Sequence, residues 1–450
     1  MLTLALKQFL RTGGVRAGLA FLLVAGLVSL LIGRQFLDRQ ARAVTETAQF
    51  QREDFVRHAQ YQKDEIGLLL YYVRFALVNQ TRALAGLAIG QRDVNPSVQR
   101  VTIRTLEAQK YDADLTNPAN LLLGNLDFSF VLLYLFPLVI IAFCYNLISG
   151  EKERGTWRLV AVQSRNLTRF VGLLFGIRIG LIMSILLILL GLAVWVLGIP
   201  LDSAFLAFAS VSVGYVLVWF GLCFWVVSGQ KSSANNALLL LTFWLAGLLI
   251  LPALVNAWVV AAYPVPEAVA TTLTQRKGYH EKWDLPTEPT LTKFYAHYPQ
   301  FRDLPLPNTK FNWTWYYAMQ QLGDDESAPQ ARNLRQKLQR RADVSERIGW
   351  FVPTLHAQLQ LTELAQSGLR NQLRFLDETT RFHERKRLYY YQKIFTNAPV
   401  SGENWAGIPV ETFTDQQSTS GWLTLAPLLG FLGLVVGLGY RRLQRTIHEY

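Results

Sequence analysis

The chain has 450 residues, is 51% hydrophobic and only 17% charged, and carries a formal net charge of +12. That much apolar content excludes a disordered or acidic solvating chain. It also shifts the meaning of the positive balance, from a nucleic-acid surface to basic residues flanking membrane spans. Both cysteines, Cys144 and Cys223, fall inside apolar runs, so neither reads as a staple for an external loop or as part of a metal cluster.

Uncharged runs of about 18 residues or more are long enough to cross a bilayer. Six candidate apolar runs of that order occur, at roughly 15–33 (of which only Ala17 to Gly33 is free of charge), 127–149, 175–200, 203–228, 237–263 and 421–440. The first follows Lys7, Arg11 and Arg16, but Gly33 runs directly into Arg34 without a small-residue cleavage site, so it reads as an uncleaved span. The expected fold class is an all-α polytopic membrane protein, with six transmembrane helices and two mainly helical extracytoplasmic inserts. Short loops set orientation best. Lys152, Arg154, Arg158, Arg165 and Arg169 in one loop, Lys231 in another and Arg441, Arg442 and Arg445 in the tail place both termini in the cytoplasm, against the vote of Arg34, Arg39 and Arg42.

Taken in chain order, residues 1–33 form a cytoplasmic start and the first span. Residues 34–126 form the first insert, where Phe55, Ala59, Ile66, Leu69 and Val73 recur at helical spacing. Within it, Gly90 to Pro96 reads GQRDVNP. Asn95-Pro96 favours an extended or turn backbone, and Arg92 and Asp93 are in reach of one another. This stretch is either a structural turn joining two external helices or a contact for cargo or a periplasmic partner.

The second span, 127–149, leads into the loop 150–174. Glu151 and Glu153 suit the positive end of a helix, and Gly155-Thr156 allows a sharp bend. Trp157, Val160 and Ala161 share a face, with Arg154, Arg158 and Arg165 on others. The pattern alone leaves two readings, an interfacial helix held by Trp and Arg or a helix docking into a cytoplasmic partner. Arg178, near the start of the third span, is the only charge inside a span. It reads as a snorkelling arginine, with a lipid contact or a gate as the alternative.

Residues 175–263 hold spans three to five, and 264–420 the second insert. Its opening, Tyr263 to Pro307, is rich in proline and aromatics and is expected to be irregular. FNWTWYY, Phe311 to Tyr317, is a local core or an interfacial patch. Leu361, Ala365, Leu369, Leu373 and Leu376 form a second helical stripe, and HERKRLYYY, His383 to Tyr391, reads as a solvated face followed by packing tyrosines. The two inserts together are long enough for one modest helical core. Residues 421–450 close the chain with the last span and a cytoplasmic tail.

Much chemistry is missing from the sequence. It holds no phosphate-binding Gly-x-x-x-x-Gly-Lys loop, no zinc helix and no Gly-x-Ser-x-Gly elbow. Gly229 to Ser232 is only a superficial echo of the first. The spans lack the midplane carboxylates that proton-driven carriers use. His297, His356 and His383 follow no ligand spacing, so no metal site is assigned.

The loop after the second span resembles the first cytoplasmic loop of ABC-2 type transporter permeases, which reads Glu-x-Glu-x-Gly-Thr-Leu-x-x-Leu-Leu and ends in Pro-x-Ser-Arg. Glu151, Glu153, Gly155, Thr156, Trp157 in the Leu place and Leu159-Val160 carry the likeness. Ser164 stands near the usual proline, and Leu173-Leu174 replaces the common Gly-Lys. GQRDVNP, the stretch Asn117 to Leu138 and the segment Pro353 to Phe395 are similar to the branch of these permeases with two large external inserts, a DUF3526-type region common in Gram-negative bacteria.

The resemblance implies a non-catalytic permease subunit of an exporter in the bacterial inner membrane. It implies a second permease subunit and a cytoplasmic ABC ATPase, which would bind the ATP and Mg that this chain does not. Glu151, Glu153, Gly155, Thr156 and Trp157 would form the coupling elbow, with Arg154, Arg158 and Arg165 as salt-bridge partners. Membrane lipid is an expected partner and nucleic acid is not. The competing expectation is a membrane-anchored scaffold or assembly factor acting through its inserts.

Overall fold

A computed structural model describes residues 2–111, 125–157, 167–284, 286–304, 311–416 and 421–448. Six of its helices are long and apolar enough to cross a membrane, which makes this a multi-pass membrane protein. After a short helix α1 (Leu2–Arg11), α2 (Gly13–Tyr61) runs unbroken from the first span far into the first insert. The charged face beyond Arg34 is thus a continuation of the span. The short α3 (Ile66–Tyr72) completes the expected apolar face, with a break at Gln62 between its halves. The second span, α4 (128–144), is followed by a single helical turn, α5 (Ser149–Glu153). Spans three and four are α6 (Leu167–Leu197) and α7 (Ser203–Val227). The fifth is α8 (233–262).

The second insert contains α9 (Glu267–Glu281), α10 (Thr287–His297), α11 (Trp313–Gly349), α12 (Pro353–Leu364) and α13 (Leu369–Phe395). The last span is α14 (Gly421–His448). The stretch expected to be irregular after Tyr263 is therefore largely helical. Two of its prolines sit at a helix start, Pro286 as the residue before α10 and Pro289 within its first turn, where the missing N–H costs nothing.

The all-helical expectation needs one addition. Three short strands, β1 (Phe75–Asn79), β2 (Val98–Val101) and β3 (Glu411–Phe413), form a sheet in the order β2-β1-β3. β2 pairs antiparallel with β1, placing Phe75 opposite Val101, and β3 pairs parallel, placing Leu77 opposite Glu411. Strands β1 and β2 belong to the first insert and β3 to the second, so the inserts are one body. Its core joins Phe55, Leu69 and Phe75 to Phe294, Tyr317 and Tyr391.

FNWTWYY supplies part of this core. Trp315, Tyr316 and Tyr317 are buried, and only its edge at Phe311 is exposed. HERKRLYYY departs from expectation, because His383 and Arg387 are buried. Arg387 donates to the Ile103 carbonyl at 3.1 Å and to Asp324 at 2.7 Å. Asp324 in turn accepts from the Leu106 N–H at 2.9 Å and from Gln275 at 2.6 Å. A paired, hydrogen-bonded charge can be buried, and this one pins α13, α11, α9 and the first insert together.

Spans two and five each contain a π-helical turn followed by proline: Val131–Leu135 before Pro137, and Ala246–Ile250 before Pro252. Proline removes a backbone donor, and in lipid no water replaces it. Side chains do so here. The Tyr215 hydroxyl donates to the Leu133 carbonyl at 2.9 Å, four residues before Pro137. The Trp244 indole donates to Tyr134 at 3.1 Å. The Gly247 carbonyl, five residues before Pro252, accepts from the Thr354 hydroxyl.

That last bond locates the turn between α11 and α12. Arg341 on α11 donates to the Tyr263 carbonyl at the end of α8 at 2.8 Å. From there α11 continues beside α8, and the turn at Trp350–Val352 brings Thr354 level with the middle of the fifth span. Helix α12 climbs back against α7, and its Ala357, Leu361 and Leu364 join the core of the spans. His356 donates Nε2–H to the Thr424 carbonyl at 2.7 Å, which fixes its tautomer. The α11–α12 hairpin is thus a re-entrant element, and the expected Leu361–Leu376 stripe breaks at Gln366, whose φ is +54°.

Arg178 does not snorkel to water. It donates to the Phe143 carbonyl at 2.7 Å and lies 4.5 Å over the Phe9 ring, joining α6, α4 and α1. At the insert end, Gly33 meets Gly86 so closely that an added Cβ would stand 2.1 Å from the Gly86 oxygen.

Burial, and then the neighbouring Arg387 charge, push the His383 imidazole well below its usual value. Unfolded His383 therefore binds a proton below about pH 6.5 that the folded form refuses. Stability rises with pH in that window and is lost as pH falls, by up to about 1.4 kcal/mol per unit. Thermal unfolding of the insert, followed by tryptophan fluorescence, is expected to drop between pH 7.5 and 5, and His383→Gln to flatten that slope by close to one proton.

Candidate functional site

The loop after the second span is built by local rules. Helix α5 ends at Arg154. Gly155 then takes φ +75°, the left-handed conformation that disfavours a side chain. The Gly155 N–H donates to Lys152 at 3.0 Å and the Thr156 N–H to Glu151 at 3.0 Å, the paired bonds of a Schellman turn. Arg154 donates to the Gly150 carbonyl at 3.0 Å and to the Glu151 carboxylate at 3.0 Å. The Thr156 hydroxyl donates to the Glu151 carbonyl at 3.1 Å and to its carboxylate. Trp157 is buried at the base, with the Lys152 ammonium 5.9 Å from its ring centre. Six of the expected elbow residues, Glu151, Glu153, Arg154, Gly155, Thr156 and Trp157, are thus gathered in one tight turn. Arg158 and Arg165 lie outside the described residues.

Glu153 does something the sequence reading did not anticipate. Both its oxygens accept from Ser233 at the start of α8, from the N–H at 2.7 Å and the hydroxyl at 2.8 Å. A carboxylate at that position is favoured by the helix dipole, though of the fifth span and not of its own helix. The Ser149 hydroxyl bonds that of Ser233 at 2.8 Å. The buried Asn236 amide donates to the Tyr145 carbonyl at 3.1 Å. Ser149, Ser233 and Asn236 were missed as site residues. The signal was present, because Ser232-Ser233-Ala-Asn before an apolar run is a helix-start pattern, and Ser232 accepts from the Asn235 N–H at 3.3 Å. The outer rim, Arg154, Gly155 and Thr156, faces solvent.

The second group of candidates behaves differently. Arg92 is buried and does not pair with Asp93. It donates to the Asn79 carbonyl at 2.9 Å and side chain at 3.1 Å, to the carbonyls of Gln80 at 3.2 Å and Gln366 at 3.1 Å, and to Thr81 at 3.3 Å. Burial lowers its pKa to about 10, against the pull of Asp415, so it stays charged at neutral pH. Asp93 accepts instead from Asn125, and Asn95 and Pro96 are half-buried where the turn enters β2. GQRDVNP is therefore a turn between two strands, not two helices, and Arg92 is a staple between the inserts.

The three histidines do not meet. His297 bonds Asp325 at 3.0 Å, His356 bonds Thr424, and His383 lies in the insert core beside Arg387. Among the described residues no group of three His, Cys, Asp or Glu is placed to hold a metal.

A family model described as a domain of unknown function, DUF3526, matches residues 269–414, the greater part of the second insert. No curated protein and no solved structure matches the chain.

Replacing Arg92 by Met leaves three backbone carbonyls without a donor. Leaving these buried acceptors unmet is expected to cost about 1–3 kcal/mol and to lower the unfolding midpoint of the insert accordingly. A residue serving only as an external contact would leave the midpoint unchanged.

Proposed function

We propose that the chain is the permease subunit of an ABC-type (ABC-2) exporter in the bacterial inner membrane, with both termini cytoplasmic. In this reading the turn Ser149–Trp157 docks on a cytoplasmic ATPase subunit, which binds ATP and Mg, and a second permease subunit completes the pathway. The chain itself catalyses nothing. The observation that carries the reading is the Glu153–Ser233 contact. A solvent-facing rim is made rigid by the Schellman turn and bonded directly to the start of the fifth span. A push on Arg154 or Thr156 reaches α8 through two hydrogen bonds to one carboxylate. Partway along α8 lies its π-turn and proline joint, where the insert hairpin holds it through Thr354. The sequence likeness of the loop supports the same reading, as does a DUF3526-type second insert.

A second reading is a membrane-anchored scaffold acting through its inserts. It draws on the single core that the two inserts share, which is more than tethered loops require.

Substitution at Gly155 separates the two. Its Cβ position is open, so only the backbone is at stake. Asn tolerates the left-handed conformation and Val does not, at a cost of about 1–2 kcal/mol or more. Purification from native membranes in mild detergent is expected to bring an ATP-binding subunit with wild type and with Gly155→Asn, and to lose it with Gly155→Val. Absence of any ATPase from all three samples overturns the exporter reading in favour of the scaffold.

A further inference from the structure

Where the insert hairpin re-enters the spans, it leaves a cavity of about 540 Å³ between the outer half of α8, both arms of the α11–α12 hairpin and the turn at Ser367–Arg370. That size is within the roughly 300–1,000 Å³ of small-molecule sites. One wall is apolar, with Val255 and Val259 from the span facing Leu355 and Leu359 from α12. Val260 also lines the cavity and remains 45% exposed, so the space opens sideways toward the acyl chains around α8.

The charged side chains at its border are already engaged. Arg341 donates to Tyr263, Arg370 bonds Asp343 and Glu346, and Glu363 pairs with Arg374 at 3.1 Å. Four uncharged polar side chains that line the cavity, Gln91, Asn256, Ser345 and Gln358, have no side-chain hydrogen bond among the described residues; Ser345 is half-buried and the other three are exposed to the open space. Asn256 is the telling one. It lies about 9 Å inside the fifth span from the helix end at Ala262. An amide at that depth with nothing to bond is unfavourable in lipid.

We infer that this cavity binds a single-chain amphiphile with an uncharged, hydrogen-bonding head group. The chain lies along Val255, Val259, Leu355 and Leu359, and the head bonds Asn256, Ser345 and Gln358. A charged head is disfavoured because each ionic group on the border already has its counter-charge or carbonyl. The site stands on its own geometry, whether or not an ATPase pairs with the chain.

The test uses the full chain in lipid nanodiscs, with Ser345→Cys as a reporter. Cys144 and Cys223 are buried and silent toward a polar maleimide. The labelling rate at position 345 is measured alone and with 1-palmitoylglycerol, palmitate or glycerol. Palmitoylglycerol is expected to slow labelling strongly, palmitate much less, and glycerol not at all. Adding Asn256→Leu is expected to weaken protection about tenfold, the loss of one buried hydrogen bond, while leaving the unprotected rate unchanged. Failure of Ser345→Cys to label without ligand, or the absence of protection by palmitoylglycerol, overturns the site. Equal protection by palmitate overturns the head-group assignment.

Discussion

In a bilayer, every backbone carbonyl needs a donor from the protein itself, and the shape of this molecule follows from how it meets that demand at two prolines. Pro137 and Pro252 each follow a π-helical turn and strip a carbonyl of its partner. For the second span the donor comes from a neighbouring span, through Tyr215. For the fifth it comes from the insert, through Thr354. An unmet carbonyl costs about 1–3 kcal/mol even before the lack of water in lipid is counted. The hairpin is thereby tied into the bundle at the place where the fifth span is least regular.

The same span is held at its other end by Glu153 and Ser149, and at its insert end by Arg341 on the Tyr263 carbonyl. Helix α8 is thus held at both ends and, through Trp244 and the Gly247 carbonyl, at the π-turn that interrupts its regular ladder. Most of the rest of its surface is uncovered, including Leu238, Leu245 and Trp258. The proposed coupling draws on this arrangement, a helix gripped at its ends and joined in its middle. The inserts are a firm body, because β1 and β3, Arg92 and the Arg387–Asp324 pair bind the two segments into a single core.

The sequence disclosed what rests on local pattern. The six spans are legible because apolar run length answers directly to bilayer thickness. The bend at Gly155 is legible because glycine at a helix end has a narrow set of uses. The shared insert core is legible in part, since Phe55, Ile66, Leu69 and Val73 face one way at helical spacing. What depends on distant partners is not legible. Strand β3 is three residues long and pairs with a strand near the other end of the chain. Arg387 reads as solvated because a lone charge normally is, and Arg92 reads as a partner of the adjacent Asp93; only the carbonyls and carboxylate gathered around them make their burial tolerable. The hairpin was hidden most completely. Helix α11 is rich in arginine and glutamine, so its hydropathy gives no hint that its end lies beside a span. Asn256 stands out in the sequence only as one of a few sparse polar residues in the spans, and Ser345 and Gln358 are ordinary until three helices bring them around one cavity.

The account turns on the depth of that hairpin, and the depth can be measured directly. A spin label at Phe351→Cys in liposomes, with collision rates compared for oxygen and a water-soluble nickel complex, reports where the tip lies. The structure predicts strong oxygen contact and weak nickel contact, at a depth matching a label at Gly247→Cys. A tip that the nickel complex reaches freely, at the depth of a label at Tyr263→Cys, would contradict the re-entrant hairpin, the donation from Thr354 and the cavity the hairpin encloses.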